Sequence, residues 1–139
     1  MGRLVLAVAA VAVIAAATAF AVAVAGSREA SATTSLTVTY WANGTSGKSV
    51  KWTLRCGPAG GTLRAPARAC AKLKVGGTKL FAPLSPKAAC IQIWGGPEVA
   101  RVTGKLWARK VNATFDRTDG CQISRWNRLS PWLVPAGGA

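Results

Sequence analysis

Two stretches in the middle of the chain alternate apolar and polar residues. In SLTVTY, residues 35–40, the apolar positions are Leu36, Val38 and Tyr40; in SVKWTL, residues 49–54, they are Val50, Trp52 and Leu54. A period of two turns one side of a strand to a core and leaves the other in water, so both stretches predict half-buried strands. Between them ANGTSGK carries Asn43-Gly44 and Gly47, a turn signal that joins the pair into a hairpin. Residues 99–103, 106–108 and 110–115 read as further strands, with Gly104 marking a turn and Val111, Ala113 and Phe115 alternating cleanly. Residues 89–94 are extended and are ended by Gly95-Gly96-Pro97.

Helical spacing is rarer. Pro66 suits the first turn of a helix over PARACAKL, with Cys70 and Leu73 three apart. Ile123, Trp126 and Leu129 recur at spacing three and predict a second short helix, while 75–86 is irregular. The spacing of Trp52 and Trp107 places both in the core. Strands joined by short turns rather than helical crossovers give an α+β class: an antiparallel sheet of about five strands with two short helices.

The first 32 residues stand apart. MGR precedes an apolar, alanine-rich run from Leu4 to Gly26, and A-x-A sites follow at 23–25 and 30–32. That is the pattern of a secretory signal, although residues 4–26 are long enough to hold the chain in a membrane as an uncleaved anchor. The expected organisation is a leader at 1–32, one domain at 33–130 and a flexible tail at 131–139, where SPWLVPAGGA has two prolines and two glycines. Either fate of the leader places the domain outside the cytoplasm.

Composition then narrows the chemistry. Of 18 basic and 4 acidic residues, Arg3, Arg28 and Glu29 belong to the leader, so the remainder carries 16 and 3 and a net charge of +13. There is no histidine, which excludes Ser-His and Cys-His catalysis. The acids are Glu98, Asp116 and Asp119, and turn formation and helix capping account for the last two better than paired-carboxylate chemistry does. No phosphate-binding glycine loop is present. The chain reads as a non-enzyme with no cofactor. Cys56, Cys70, Cys90 and Cys121 form an even set in an exported domain, which reads as two disulfides of any of three connectivities. A metal site is disfavoured, because no C-x-x-C pair and no histidine exist. The cations are spread with no run longer than two, and nucleic acid is not an expected partner of an exported protein.

Several pieces of sequence, in order, resemble the subtilisin inhibitor-like proteins secreted by actinobacteria. They are LTVTYW, LRCGPAGGTLRAPARACAKL, CIQIWGGPEV, VTGKLWARKV and FDRTDGCQI. The resemblance spans Leu36 to Leu129 and includes all four cysteines. It implies disulfides Cys56–Cys70 and Cys90–Cys121, a five-stranded antiparallel sheet with two helices, a homodimer, and substrate-like inhibition of a secreted subtilisin-like serine protease. It also implies that the reactive bond is Gln92–Ile93, two residues after the third cysteine, with Cys90, Ile91 and Trp94 in neighbouring protease subsites. Each crosslink of this spacing restrains the unfolded chain by about 3 to 4 kcal/mol.

Two positions depart from the family pattern. Ile91 replaces the stiffening proline before the reactive position, at about 0.4 to 1 kcal/mol. Gln92 replaces the more usual methionine, lysine or arginine, and costs about 1 to 3 kcal/mol in an apolar pocket without partners. The alternative reading is a secreted basic module on the same fold, binding an anionic cell-surface polymer or membrane.

Overall fold

The computed structural model describes residues 33–137, so the expectations for the leader lie outside the described residues. Four strands form one antiparallel sheet: β1 (Thr34–Trp41), β2 (Ser49–Cys56), β3 (Val99–Leu106) and β4 (Arg109–Phe115), in the order β2-β1-β3-β4. Helices α1 (Pro66–Gly76) and α2 (Gly120–Leu129) and a 3-10 turn (Gly77–Phe81) complete the fold. The α+β class stands as expected. So does the first hairpin, in which Val38 faces Trp52 and the connecting turn is closed by Gly47 N–H donating to Gly44 O at 3.0 Å.

Alternation does in space what it does in sequence. Leu36, Val38, Leu54, Ala100, Val102, Leu106, Val111 and Phe115 share one face of the sheet and are buried. Ala69 and Leu73 of α1, with Trp126 and Leu129 of α2, pack onto that face. Pro66 occupies the first turn of α1, and α1 continues to Gly76 before the 3-10 turn, so the segment read as irregular from 75 is largely helical as far as Phe81. Asp119 caps α2, its carboxylate accepting from Cys121 N–H at 2.8 Å and Gln122 N–H at 2.9 Å.

Three expectations are corrected. The described residues form four strands, close to the five or so expected, and residues 99–103 and 106–108 make one strand because Gly104 is not a turn. It lies within β3, between Leu36 and Val111, at φ +129, where a Cβ would run into the backbone oxygen of Ser35. Here glycine permits a close approach between neighbouring strands. The chain reverses at Trp107-Ala108 instead, both with positive φ, as a two-residue hairpin turn requires. Trp107 is consequently exposed at the hairpin tip, whereas Trp52 packs against the core and donates its Nε1–H to Leu133 O at 3.2 Å.

The third correction concerns the tail. Trp132, Leu133 and Val134 are buried in the core. Trp126 Nε1–H and the Ser130 hydroxyl both donate to Pro135 O, at 3.0 and 3.2 Å. The prolines and glycines suggested looseness, but three large apolar side chains among them outweigh that signal by burial.

Candidate functional site

Residues 82–98 leave the 3-10 turn and rejoin the sheet at β3 without forming regular structure, apart from isolated turns and bends. Within them Ile91, Gln92, Ile93 and Trp94 are exposed; Ile91 is 68% and Trp94 70% accessible. Large apolar side chains ordinarily turn inward, so three of them facing water in consecutive order with a glutamine is the feature to explain.

The main chain under these side chains is held from both sides. Cys90 is bonded to Cys121 in the first turn of α2. The Ile91 carbonyl accepts from Gly120 N–H at 2.9 Å and from Ile93 N–H at 3.0 Å. The second of these bonds closes a γ-turn around Gln92 and sets that residue at the apex. The Gln92 side-chain amide donates back to Cys90 O at 3.2 Å. Beyond Trp94, Gly95 N–H donates to Arg117 O at 2.8 Å. A Cβ at Gly95 would lie 2.8 Å from Ile123 Cδ1, so the backbone is seated directly on α2.

The outgoing limb rests on an ion pair. Arg117 Nη1 lies 3.1 Å from Glu98 Oε1, and the two side chains are only 13% and 8% exposed. Gly96, at φ +138, leaves room for the Glu98 carboxylate where a larger residue would collide with it. Asp116 stiffens the same support, accepting from Thr118 N–H and from the Thr118 hydroxyl at 3.1 and 2.7 Å. Tyr40 stands nearby; burial and the neighbouring Glu98 charge raise its phenol above the usual pKa.

The second disulfide, Cys56–Cys70, ties the end of β2 to α1 and packs at the core boundary. Cys90, Cys121 and Asp119 bring two sulfurs and a carboxylate together. The sulfurs are bonded to each other and the carboxylate accepts two backbone N–H groups, so the set is committed to structure rather than to a metal.

The structure therefore brings together Cys90, Ile91, Gln92, Ile93, Trp94 and Cys121, all anticipated from sequence. Sequence reasoning missed Glu98 and Arg117 as supports, together with the Gly120 and Gly95 main-chain bonds. The one available hint was that Glu98, among only three acids beyond residue 32, had no capping or turn role to account for it.

A model of the family described as subtilisin inhibitor-like matches residues 30–118, most of the chain. The chain belongs to the subtilisin inhibitor-like family. This is a family of inhibitors, so the chain binds subtilisin-type serine proteases and is not an enzyme. The matched region ends three residues before Cys121, yet the fold brings Cys121 back to Cys90 and completes the loop's fastening. No curated protein sequence matches the chain. Among solved structures, it is similar to Streptomyces caespitosus sermetstatin, crystallised in complex with Bacillus licheniformis subtilisin. The identity is 24% and the TM-score 0.49, over 73% of this chain and 97% of that one.

Proposed function

We propose that Gln92–Ile93 is the reactive bond through which this subtilisin inhibitor-like protein occupies its target protease. One observation carries the assignment: the side chains of residues 91–94 face solvent while the peptides around them are tied to α2 and to Arg117. Proteases take extended segments by main-chain pairing, with alternate side chains in pockets. Gln92 enters the primary specificity pocket. Cys90 and Ile91 fill the preceding subsites, and Ile93 and Trp94 the following ones. Because the loop is ordered before it binds, little conformational entropy remains to be lost.

The fastening also explains inhibition rather than digestion. Cutting between residues 92 and 93 leaves Cys90 on one fragment and Cys121 on the other, still joined by their disulfide. The new ends stay beside each other, and religation competes with release. Secretion with residues 1–32 as leader, and the homodimer that the resemblance implies, form part of this proposal. The reading as an anionic-surface module in place of an inhibitor gains no support from the family match.

The test is incubation with subtilisin at increasing molar ratio. The expected result is one-to-one inhibition with slow nicking at Gln92–Ile93 only, the nicked protein running whole without reductant and as two fragments with it. Gln92→Pro is expected to abolish inhibition. Rapid digestion, or stoichiometric inhibition with the cut at another bond, overturns the assignment.

A further inference from the structure

Arg117 serves the outgoing limb of the loop twice. Its carbonyl accepts from Gly95 N–H at 2.8 Å, and its guanidinium pairs with Glu98 at 3.1 Å. The guanidinium also lies against two glycines. A Cβ on Gly96 would stand 3.1 Å from Arg117 Nη1, and a Cβ on Gly137 would run into Nη1, Nε and Cζ together. Gly96 belongs to the limb itself, whereas Gly137 comes from the C-terminal tail.

The anchoring of the tail explains how it reaches the loop. Trp132, Leu133 and Val134 are buried in the core. Leu133 N–H and Val134 N–H donate to Leu129 O at 2.8 and 3.3 Å, and Trp132 Nε1–H donates to Arg128 O at 2.9 Å. Pro135 O accepts from Trp126 and Ser130. The tail is thus fixed to the last turns of α2 as far as Pro135. Only Ala136 separates that anchor from Gly137, a span of about 7 Å. The incoming limb is held at the other end of the same helix, by the Cys90–Cys121 bond and by Gly120 N–H. Both limbs are therefore referred to α2, the first directly and the second by way of the tail and Arg117.

We propose that residues 135–137 form a strap that covers Arg117 and keeps it on Glu98, so that Gly137 is a positioning residue for inhibition; this rests on Gln92–Ile93 being the reactive bond. An ion pair open to water is screened and contributes little, about 0 to 1 kcal/mol. Main chain laid against the guanidinium excludes water there and strengthens the attraction. A glycine permits that approach because it has no side chain to hold the two apart. The strap acts through Arg117, and what it governs is how long the reactive bond resists cutting.

The experiment compares the full chain with one that ends after Pro135 and with Gly137→Leu, which keeps the length and adds no charge. A leucine cannot share the space of the guanidinium. Either Arg117 swings off Glu98 or the tail lifts away, and both uncover the pair. With a trace of subtilisin, cutting of Gln92–Ile93 is expected to be about fivefold faster in each variant. The ratio of variant to full-chain rates is expected to change between about 0.05 and 0.5 M salt, because only an uncovered pair is screened. In an Arg117→Ala background the same two changes are expected to alter the rate less than about twofold. Melting is expected to change little, since residues 132–134 remain in place. Hydrogen exchange at Arg117 Nε, followed by NMR, is expected to be at least about tenfold faster in both variants. An unchanged rate of cutting at Gln92–Ile93 overturns the strap and leaves the reactive-bond reading standing. Cutting at another bond in every form refutes that reading instead, and the exchange rate at Arg117 then decides for or against the strap. Equal acceleration with and without Arg117, or acceleration matched by a fall in melting temperature, also overturns it.

Discussion

The two disulfides invite comparison. Cys56–Cys70 closes a sequence separation of 14 and Cys90–Cys121 one of 31. Loop-closure entropy rates them nearly alike, at about 3.0 and 3.7 kcal/mol. Their surroundings differ. The first lies against the core, where neighbouring apolar side chains are already held by packing. The second lies beneath a segment whose apolar side chains face water and whose order rests on the crosslink, a few main-chain bonds and one ion pair. Equal crosslinks thus serve different ends: one adds stability to a region that is already rigid, the other supplies rigidity that the region lacks.

Removing each crosslink separates these roles. Cys90→Ser/Cys121→Ser is expected to weaken subtilisin inhibition at least a hundredfold and to turn the protein into a substrate. Cys56→Ser/Cys70→Ser is expected to lower the unfolding free energy by about 3 kcal/mol. Its inhibition constant, measured well below the melting temperature, should stay within a few-fold. Inhibition assays alongside denaturant melts check both, and equal losses of inhibition would erase the distinction.

The ion pair gives the next largest effect. Arg117→Ala removes a partner from the buried Glu98 carboxylate, a loss of about 3 kcal/mol. Because the pair supports only the outgoing limb, the expected signature is faster cleavage of the Gln92–Ile93 bond, ahead of any change in the melting of the sheet. Mass spectrometry of the time course reads this directly.

A smaller change comes from the apex. Gln92→Met exchanges a polar group for an apolar one in the protease pocket and is expected to tighten inhibition by about 1 to 2 kcal/mol, about five- to thirtyfold. Stability should fall by no more than about 1 kcal/mol, since Gln92 is exposed and the substitution removes only its surface bond to Cys90 O.

The smallest effect is a pH dependence. Tyr40 has a raised pKa in the folded protein, from burial first and Glu98 second. The folded state therefore holds the phenol proton more tightly than the unfolded chain does. That contribution is complete below about pH 10 and is lost as pH rises through the folded value. A melting series from pH 8 to 11.5 should decline at the alkaline end, and Tyr40→Phe should flatten the decline.

Much of this was legible in the sequence, for identifiable reasons. SLTVTY, SVKWTL and VNATF alternate strictly, and alternation is imposed by one covered sheet face. Asp119 announced its cap by its place before a helical spacing. Gly104 misled because a glycine needed for close strand approach looks, in sequence, like a glycine needed for a turn. Trp107 misled because its spacing suggested burial, whereas its location is fixed by a two-residue reversal. Residues 132–134 misled because prolines and glycines mask the apolar residues between them. The loop was found through the order of family-like pieces around Cys90, not through its hydropathy, which fits an edge strand equally well. The Glu98–Arg117 pair was not legible at all: no local pattern links residues 19 apart that meet only once the chain has folded.

The placement of the three carboxylates has a mechanical consequence. Glu98 pairs with Arg117, Asp116 accepts from Thr118 and Asp119 caps α2, so the footing of the bait segment is joined to the residues after β4 and to the start of α2. A pull on the bait is passed to the helix and spares the strand ladder, so a bound enzyme can load the loop without prising the sheet apart.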